Sequence, residues 1–224
     1  METQEYAPGR LADLYGDTSH PTVLLWHGMQ SDARATLRPL AERLAEHRLG
    51  TVVPDWNSHA DDGGRTDLLS SLDFSRQLSG AGEQLALVGW SMGGVAAAGL
   101  TLHAADFGVT LTHTVCLAGA FMARGPITRG HVQDGLASDR VGAPLTLLHG
   151  RMDDVVPVAA SRTFAADLER VGWPVEVVEI DTDHGAIAGA RYDENADRYY
   201  PADDAQTRAV VSDVANRIAA ALGR

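Results

Sequence analysis

Cysteine is nearly absent: one residue, Cys116, stands in a chain of 224. An internal disulfide is therefore excluded, and the apolar setting His113-Thr-Val-Cys-Leu-Ala118 reads as a strand that holds a buried, inert thiol. Basic clusters are missing too. With 18 Lys and Arg against 30 Asp and Glu the formal net charge is -12, a field that repels phosphate backbones, so nucleic acid is not expected as a partner. The leading Met-Glu-Thr-Gln-Glu-Tyr has neither the basic start nor the apolar run of a secretory signal. No stretch approaches the roughly 20 apolar residues of a membrane span. A cytoplasmic protein with no membrane partner is the expectation. No repeat, low-complexity tract or linker divides the chain, which predicts a single domain over residues 1–224.

What the chain does have is enough apolar material, 45% against 21% charged residues, to bury a sizeable core. Six short apolar runs, at 22–26, 51–53, 84–89, 112–117, 144–149 and 175–180, alternate with helical patterns at 33–48, 92–104, 159–171 and 205–222. Runs rich in β-branched residues and leucine suit strands buried on both faces, and their alternation with helices predicts an α/β fold: a doubly wound, mostly parallel sheet. Residues 10–15 read as a short edge strand before Gly16.

The chemistry-bearing residues lie where these strands end. Gly89-Trp90-Ser91-Met92-Gly93-Gly94 follows one apolar run and opens an alanine-rich helix, the context that a nucleophile on a sharp strand-to-helix turn needs; glycines on either side leave room for the neighbouring strand and helix. A glycine-rich phosphate loop is the competing reading, but the segment lacks both the Walker lysine and the dinucleotide glycine spacing. A serine hydroxyl needs an imidazole to take its proton and a carboxylate to hold that imidazole. His149-Gly-Arg-Met-Asp153-Asp154 and Asp181-Thr-Asp-His184-Gly185 follow two later strands and supply both, in the order Ser91, Asp153, His184. Asp153 also fits a turn residue or a helix cap. Two backbone donors are required for an oxyanion: the amide of Met92 and, in the turn His27-Gly28-Met29, the amide of Met29. The His27 side chain reads as structural.

At these residues the chain resembles, over nearly its whole length, the α/β-hydrolase superfamily and its small dienelactone hydrolase-like and carboxylesterase-like members. Ala12-Asp-Leu-Tyr-Gly16 and Pro21-Thr-Val-Leu-Leu-Trp-His-Gly28 resemble the edge and oxyanion strands of such esterases. Val52-Val-Pro-Asp-Trp56 is similar to the next strand end, and residues 89–94 to the elbow. His149-Gly150 with Asp153 and Val155-Val-Pro157 is similar to the acid loop, which implies Asp153 rather than Asp154 as the triad carboxylate. Asp183-His184-Gly185 is similar to the histidine loop. The chain has no three-glycine oxyanion run of the hormone-sensitive lipase type, and it carries serine where dienelactone hydrolases proper carry cysteine.

Too little chain separates Ala118 from Pro144 for a large helical cap, so the fold class includes a minimal cap or none. The cleft is then shaped by loops at 56–65 and 186–204. Trp56, His59, Trp90 and Tyr192 are the side chains expected at substrate, each with packing or solvation as the plain alternative. Asp61 and Asp62 read as a solvated turn, and no metal or other cofactor is implied. The expected function is hydrolysis of a carboxylic ester or thioester of a small molecule by a serine hydrolase, at a rate that falls as His184 takes up a proton in acid. Acyl transfer or another biosynthetic step by the same triad, and a non-catalytic ligand-binding homologue, stand as alternatives. A monomer or homodimer is expected.

Overall fold

The computed structural model describes residues 1–17, 21–79, 85–136 and 142–224. In chain order its strands and helices are β1 Glu2–Ala7, β2 Arg10–Tyr15, β3 Pro21–Trp26, α1 Arg38–Glu46, β4 Gly50–Pro54, α2 Arg65–Ser79, β5 Leu85–Trp90, α3 Met92–Leu102, β6 Leu111–Leu117, β7 Leu145–Gly150, α4 Ala159–Arg170, β8 Val175–Ile180, β9 Ala190–Asp193, β10 Arg198–Pro201 and α5 Ala205–Ala221. Gln84, expected to open the third apolar strand, lies outside the described residues.

Eight strands form one sheet in the order β1-β2-β4-β3-β5-β6-β7-β8. Strands β1 and β2 run antiparallel to their neighbours, and the rest are parallel. Successive side chains of a strand face opposite ways. In β3, Leu24 and Trp26 join one core cluster with residues of α2, α3 and α4, whereas Val23 and Leu25 join a second with α1 and α5. Both faces are therefore covered, which is why the central strands read as continuous apolar runs.

Several elements depart from the reading. The pattern at 33–48 is not one helix: a 3-10 turn, Arg34–Leu37, precedes α1. Pro39 explains the break, because its ring and missing N–H are tolerated only in the first turn of an α-helix. Strand β1, a charged edge strand paired to β2 through Gly9 at φ 72°, carried no apolar signal. Helix α2 went unread because serines interrupt its inner face. Ser71 accepts from the Trp26 indole at 3.0 Å and Ser75 donates to the Ser71 carbonyl at 2.8 Å, so both are buried without breaking the packing. Asp62 is more than a solvated turn: its carboxylate accepts the amides of Gly64 and Thr66 at the start of α2. The expected loop at 186–204 holds the hairpin β9–β10, tied back by Tyr199 N–H to Gln30 Oε1 at 2.7 Å and Arg198 to the Ser31 carbonyl at 2.9 Å.

His27, just past β3, is wholly buried and organises the turn that follows. Its Nδ1 faces the Gly28 carbonyl at 2.8 Å, its Nε2 accepts the amides of Trp56 at 3.2 Å and Ala33 at 3.3 Å, and its ring stacks on Trp56. Burial lowers its pKa to about 3, because a cation there has no water to solvate it. The unfolded chain protonates this ring near the ordinary value of about 6.5. Between those two values the unfolded state holds the extra proton, so stability falls as pH falls through this window. From pH 6.5 to 5 the loss due to His27 is about 2 kcal/mol. Urea denaturation at pH 7 and pH 5 checks it: the wild type loses more stability than His27→Gln, and equal losses contradict the assignment.

Candidate active site

Ser91 occupies the bend between β5 and α3 with φ 56° and ψ -117°, a backbone geometry that costs a non-glycine residue about 1–3 kcal/mol. Surrounding contacts hold it there. The Ser91 amide donates to Leu117 O at 2.8 Å, and its carbonyl accepts from Gly94 and Val95 in α3 and from Ala120 after β6. A Cβ on Gly89 would lie 2.1 Å from Gly93 O, and one on Gly93 2.3 Å from His27 O. The two flanking glycines are thus set by backbone-to-backbone approach, which no side-chain adjustment relieves.

His184 follows β8. Asp183 turns the chain by accepting the amides of Gly185 and Ala186 at 2.9 and 2.7 Å. The imidazole is 3% exposed and packs against the rings of Trp90 and Tyr199, with centroids 5.4 and 5.9 Å away. Trp90 also donates its indole N–H to the His184 carbonyl at 2.8 Å. The residue directly before Ser91 therefore fixes both the backbone and the ring of His184. Among the described residues the Ser91 hydroxyl makes no hydrogen bond to that ring; contacts of this kind commonly close only around substrate.

Asp153, after β7, is joined to His184 directly: Nδ1 lies 2.7 Å from Oδ2. That carboxylate holds the imidazole proton on Nδ1 and leaves the Nε2 lone pair free to accept. Oδ1 accepts the amides of Val155 at 2.9 Å and Val156 at 2.7 Å. Burial pushes the Asp153 carboxyl up, but hydrogen bonds from His149, His184 and the Val156 amide outweigh it and hold the group well below the usual carboxylate range. It stays ionised at neutral pH.

His149 is the residue that sequence reasoning passed over. Quoted there only as part of a motif, it is wholly buried, with Nε2 at 2.8 Å from Val156 O and 3.3 Å from Asp153 Oδ2, while Nδ1 meets Ser161 Oγ at 2.7 Å. Helix α4 thereby braces the carboxylate from behind. Tyr199 falls in the expected cleft-shaping loop at 186–204, but its packing on the His184 ring was not foreseen. The adjacent aromatics Tyr199 and Tyr200 in β10 were the available signal, but no local pattern says that a hairpin folds back onto Trp90.

The remaining expected residues separate into three environments. The turn carrying Met29 abuts the elbow, since a Cβ on Gly28 would lie 3.2 Å from Ser91 Cβ. Met92 opens α3, where a first-turn amide has no partner within the helix; among the described residues the Met29 amide has no protein acceptor either. Trp56 and Trp90, read as meeting substrate or packing, are core residues, 0% and 1% exposed. Burial gains most from such large rings, and each indole N–H finds a carbonyl: His27 O for Trp56, at 3.2 Å, and His184 O for Trp90. His59 is exposed, in a turn where its amide donates to Asn57 Oδ1. Tyr192 is half-exposed and lines, with His184, Met152 and Val155, a cavity of about 670 Å³. Among the described residues no group of three or more His, Cys, Asp or Glu is placed to hold a metal ion, and no helix is long and apolar enough to cross a membrane.

No family model and no curated protein matches the sequence. Solved structures do. Esterase 2 of Thermogutta terrifontis phosphorylated by paraoxon superposes with a TM-score of 0.72 at 17% identity, over 99% of this chain and 94% of that one. The propionate-bound form of the same esterase gives 0.70 at 16% identity over the same shares. Est1E from Butyrivibrio proteoclasticus gives 0.67 at 16%, over 96% of this chain and 95% of that one. With likeness spanning nearly the whole of both chains and a mostly parallel central sheet, this protein has the α/β-hydrolase fold, without a large cap among the described residues.

Proposed function

We propose that the chain, acting as one domain over residues 1–224, is a serine hydrolase that cleaves a carboxylic ester or thioester of a small molecule through an acyl-Ser91 intermediate. One observation carries the reading: an imidazole bound to a buried carboxylate, His184 to Asp153 at 2.7 Å, packs against the residue that precedes a strained serine. In this reading Ser91 Oγ attacks the acyl carbon as His184 Nε2 takes its proton. Asp153 stabilises the imidazolium that forms, and the amides of Met29 and Met92 receive the oxyanion. His184 then protonates the leaving alcohol or thiol, and water repeats the sequence against the acyl-serine. The neighbours' names support the same chemistry: they are esterases, and one was phosphorylated by paraoxon.

The test is turnover of p-nitrophenyl acetate by the wild type together with mass-spectrometric mapping of a fluorophosphonate adduct. Turnover with the adduct on Ser91 is expected; absence of both contradicts the proposal. Asp153→Asn provides an independent check. An amide keeps an oxygen for the two valine N–H groups but presents an NH₂ to Nδ1, which turns the histidine lone pair away from Ser91. A fall in kcat of about ten-thousandfold is expected, with the urea midpoint showing that the protein remains folded.

A further inference from the structure

The chain holds five methionines, and apart from Met1 each follows a different strand at the same edge of the sheet. Met29 comes after β3, Met92 after β5, Met122 after β6 and Met152 after β7, and these four strands are contiguous in the sheet. Each is tied to the residues of the candidate site. The Met29 turn lies close to Ser91, since a Cβ on Gly28 would come 3.2 Å from Ser91 Cβ, Met92 adjoins Ser91, the Met122 loop is pinned by the Ala120 amide on the Ser91 carbonyl at 3.3 Å, and Met152 shares its cavity with His184.

Three of these side chains face solvent: Met29 is 59% exposed, Met122 52% and Met152 56%. Burying a methionine stabilises a fold by about 1.5–3 kcal/mol, and none of the fully buried core residues is one. Isolated exposed apolar residues need no explanation, but these follow strands of one contiguous run at the same edge of the sheet, and Met152 lines the cavity beside His184 together with Val155 and Tyr192, which are exposed as well. An unbranched thioether adapts its shape to an irregular apolar partner. The charges nearby limit what that partner is. The cavity beside His184 carries Asp154, Asp183, Glu194 and Asp204 against Arg191, a balance that disfavours an anionic group.

We propose that Met29, Met122 and Met152 form an adaptable apolar rim that receives the uncharged aliphatic acyl chain of the ester. The assignment of a substrate class rests on the esterase reading above. It makes the enzyme selective for acyl length and neutrality and tolerant of acyl shape.

The experiment compares kcat/KM for p-nitrophenyl hexanoate and acetate in wild type, Met122→Gln, Met152→Gln and the double variant. Glutamine keeps the length of methionine and removes its apolar end. The hexanoate-to-acetate ratio is expected to fall about fivefold in each single variant, the scale of one or two methylenes returned to water, and further in the double variant. A double variant whose ratio stays within about twofold of wild type overturns the rim while leaving the hydrolase standing. A second measurement does not depend on turnover: methyl-¹³C-methionine NMR of Ser91→Ala titrated with methyl hexanoate. Shifts of the Met29, Met122 and Met152 methyls, with Met1 unmoved, are expected. Silence at these three methyls overturns the rim; a response in a protein that hydrolyses no ester sustains the rim as a binding surface and sinks only the esterase reading.

Discussion

Ser91→Ala is expected to lower kcat toward p-nitrophenyl acetate by roughly a millionfold, to the residue of rate that binding and oxyanion donors supply alone. The size follows from the division of labour. Without Oγ there is no acyl-enzyme, and His184 and Asp153 have nothing to activate. The double variant Ser91→Ala/His184→Ala should therefore be no slower than either single one, because residues that act as a unit lose their effect together. Stability should move the other way from activity. Alanine at position 91 still has to adopt φ 56°, so Ser91→Ala should unfold near the wild-type midpoint, whereas Ser91→Gly relieves the strain and should gain about 1 kcal/mol. Stopped assays with Ser91→Ala at high enzyme concentration, paired with urea curves for both variants, test the two halves separately. Retained turnover in Ser91→Ala would remove the serine from the mechanism.

Gly93→Ala is expected to cost several kcal/mol, a large share of the 5–15 kcal/mol typical of a folded domain. Helix propensity alone favours alanine over glycine by about 1 kcal/mol, so the two effects oppose and distance decides. The new Cβ would stand 2.3 Å from His27 O and 2.5 Å from Trp26 O, and both are backbone atoms at the end of a central strand. Either α3 withdraws from β3, carrying the bend at Ser91 with it, or the strand end gives way. Gly99, in the same helix, makes the contrast. A Cβ there meets Thr128 Cγ2 at 3.2 Å and Ile127 Cβ at 3.7 Å, and side chains can yield, so Gly99→Ala should be near neutral or stabilising. Thermal midpoints and soluble yield of the two variants decide it: equal behaviour would mean that close approach does not fix the elbow glycines.

The parallel strands were legible in the chain because burial on both faces leaves an unbroken apolar run, and the elbow was legible because a strained bend restricts which residues fit beside it. The helix at Arg65–Ser79 was not, since its inner face buries two serines: Ser71 and Ser75 donate to carbonyls one turn back in the helix, and Ser71 also accepts from the Trp26 indole, 45 positions away in the chain. Which of the two readings holds for Trp56 and Trp90, substrate or packing, was not legible for the same reason. Proximity in sequence to a loop or to Ser91 says nothing of which way a ring turns, and the partners that draw both indoles inward, His27 and His184, lie far along the chain.

Local chemistry alone thus dictated the alternation of strands and helices, the glycines around Ser91 and the residue types at the strand ends, because each depends on backbone sterics or on the period of burial within a few residues. The meeting of His184 with Asp153, the bracing of that carboxylate by His149 and Ser161, and the gathering of four methionines at one edge depended on strand order and crossover. These join residues of separate strands, loops and helices, and only packing of the whole sheet brings their atoms within reach.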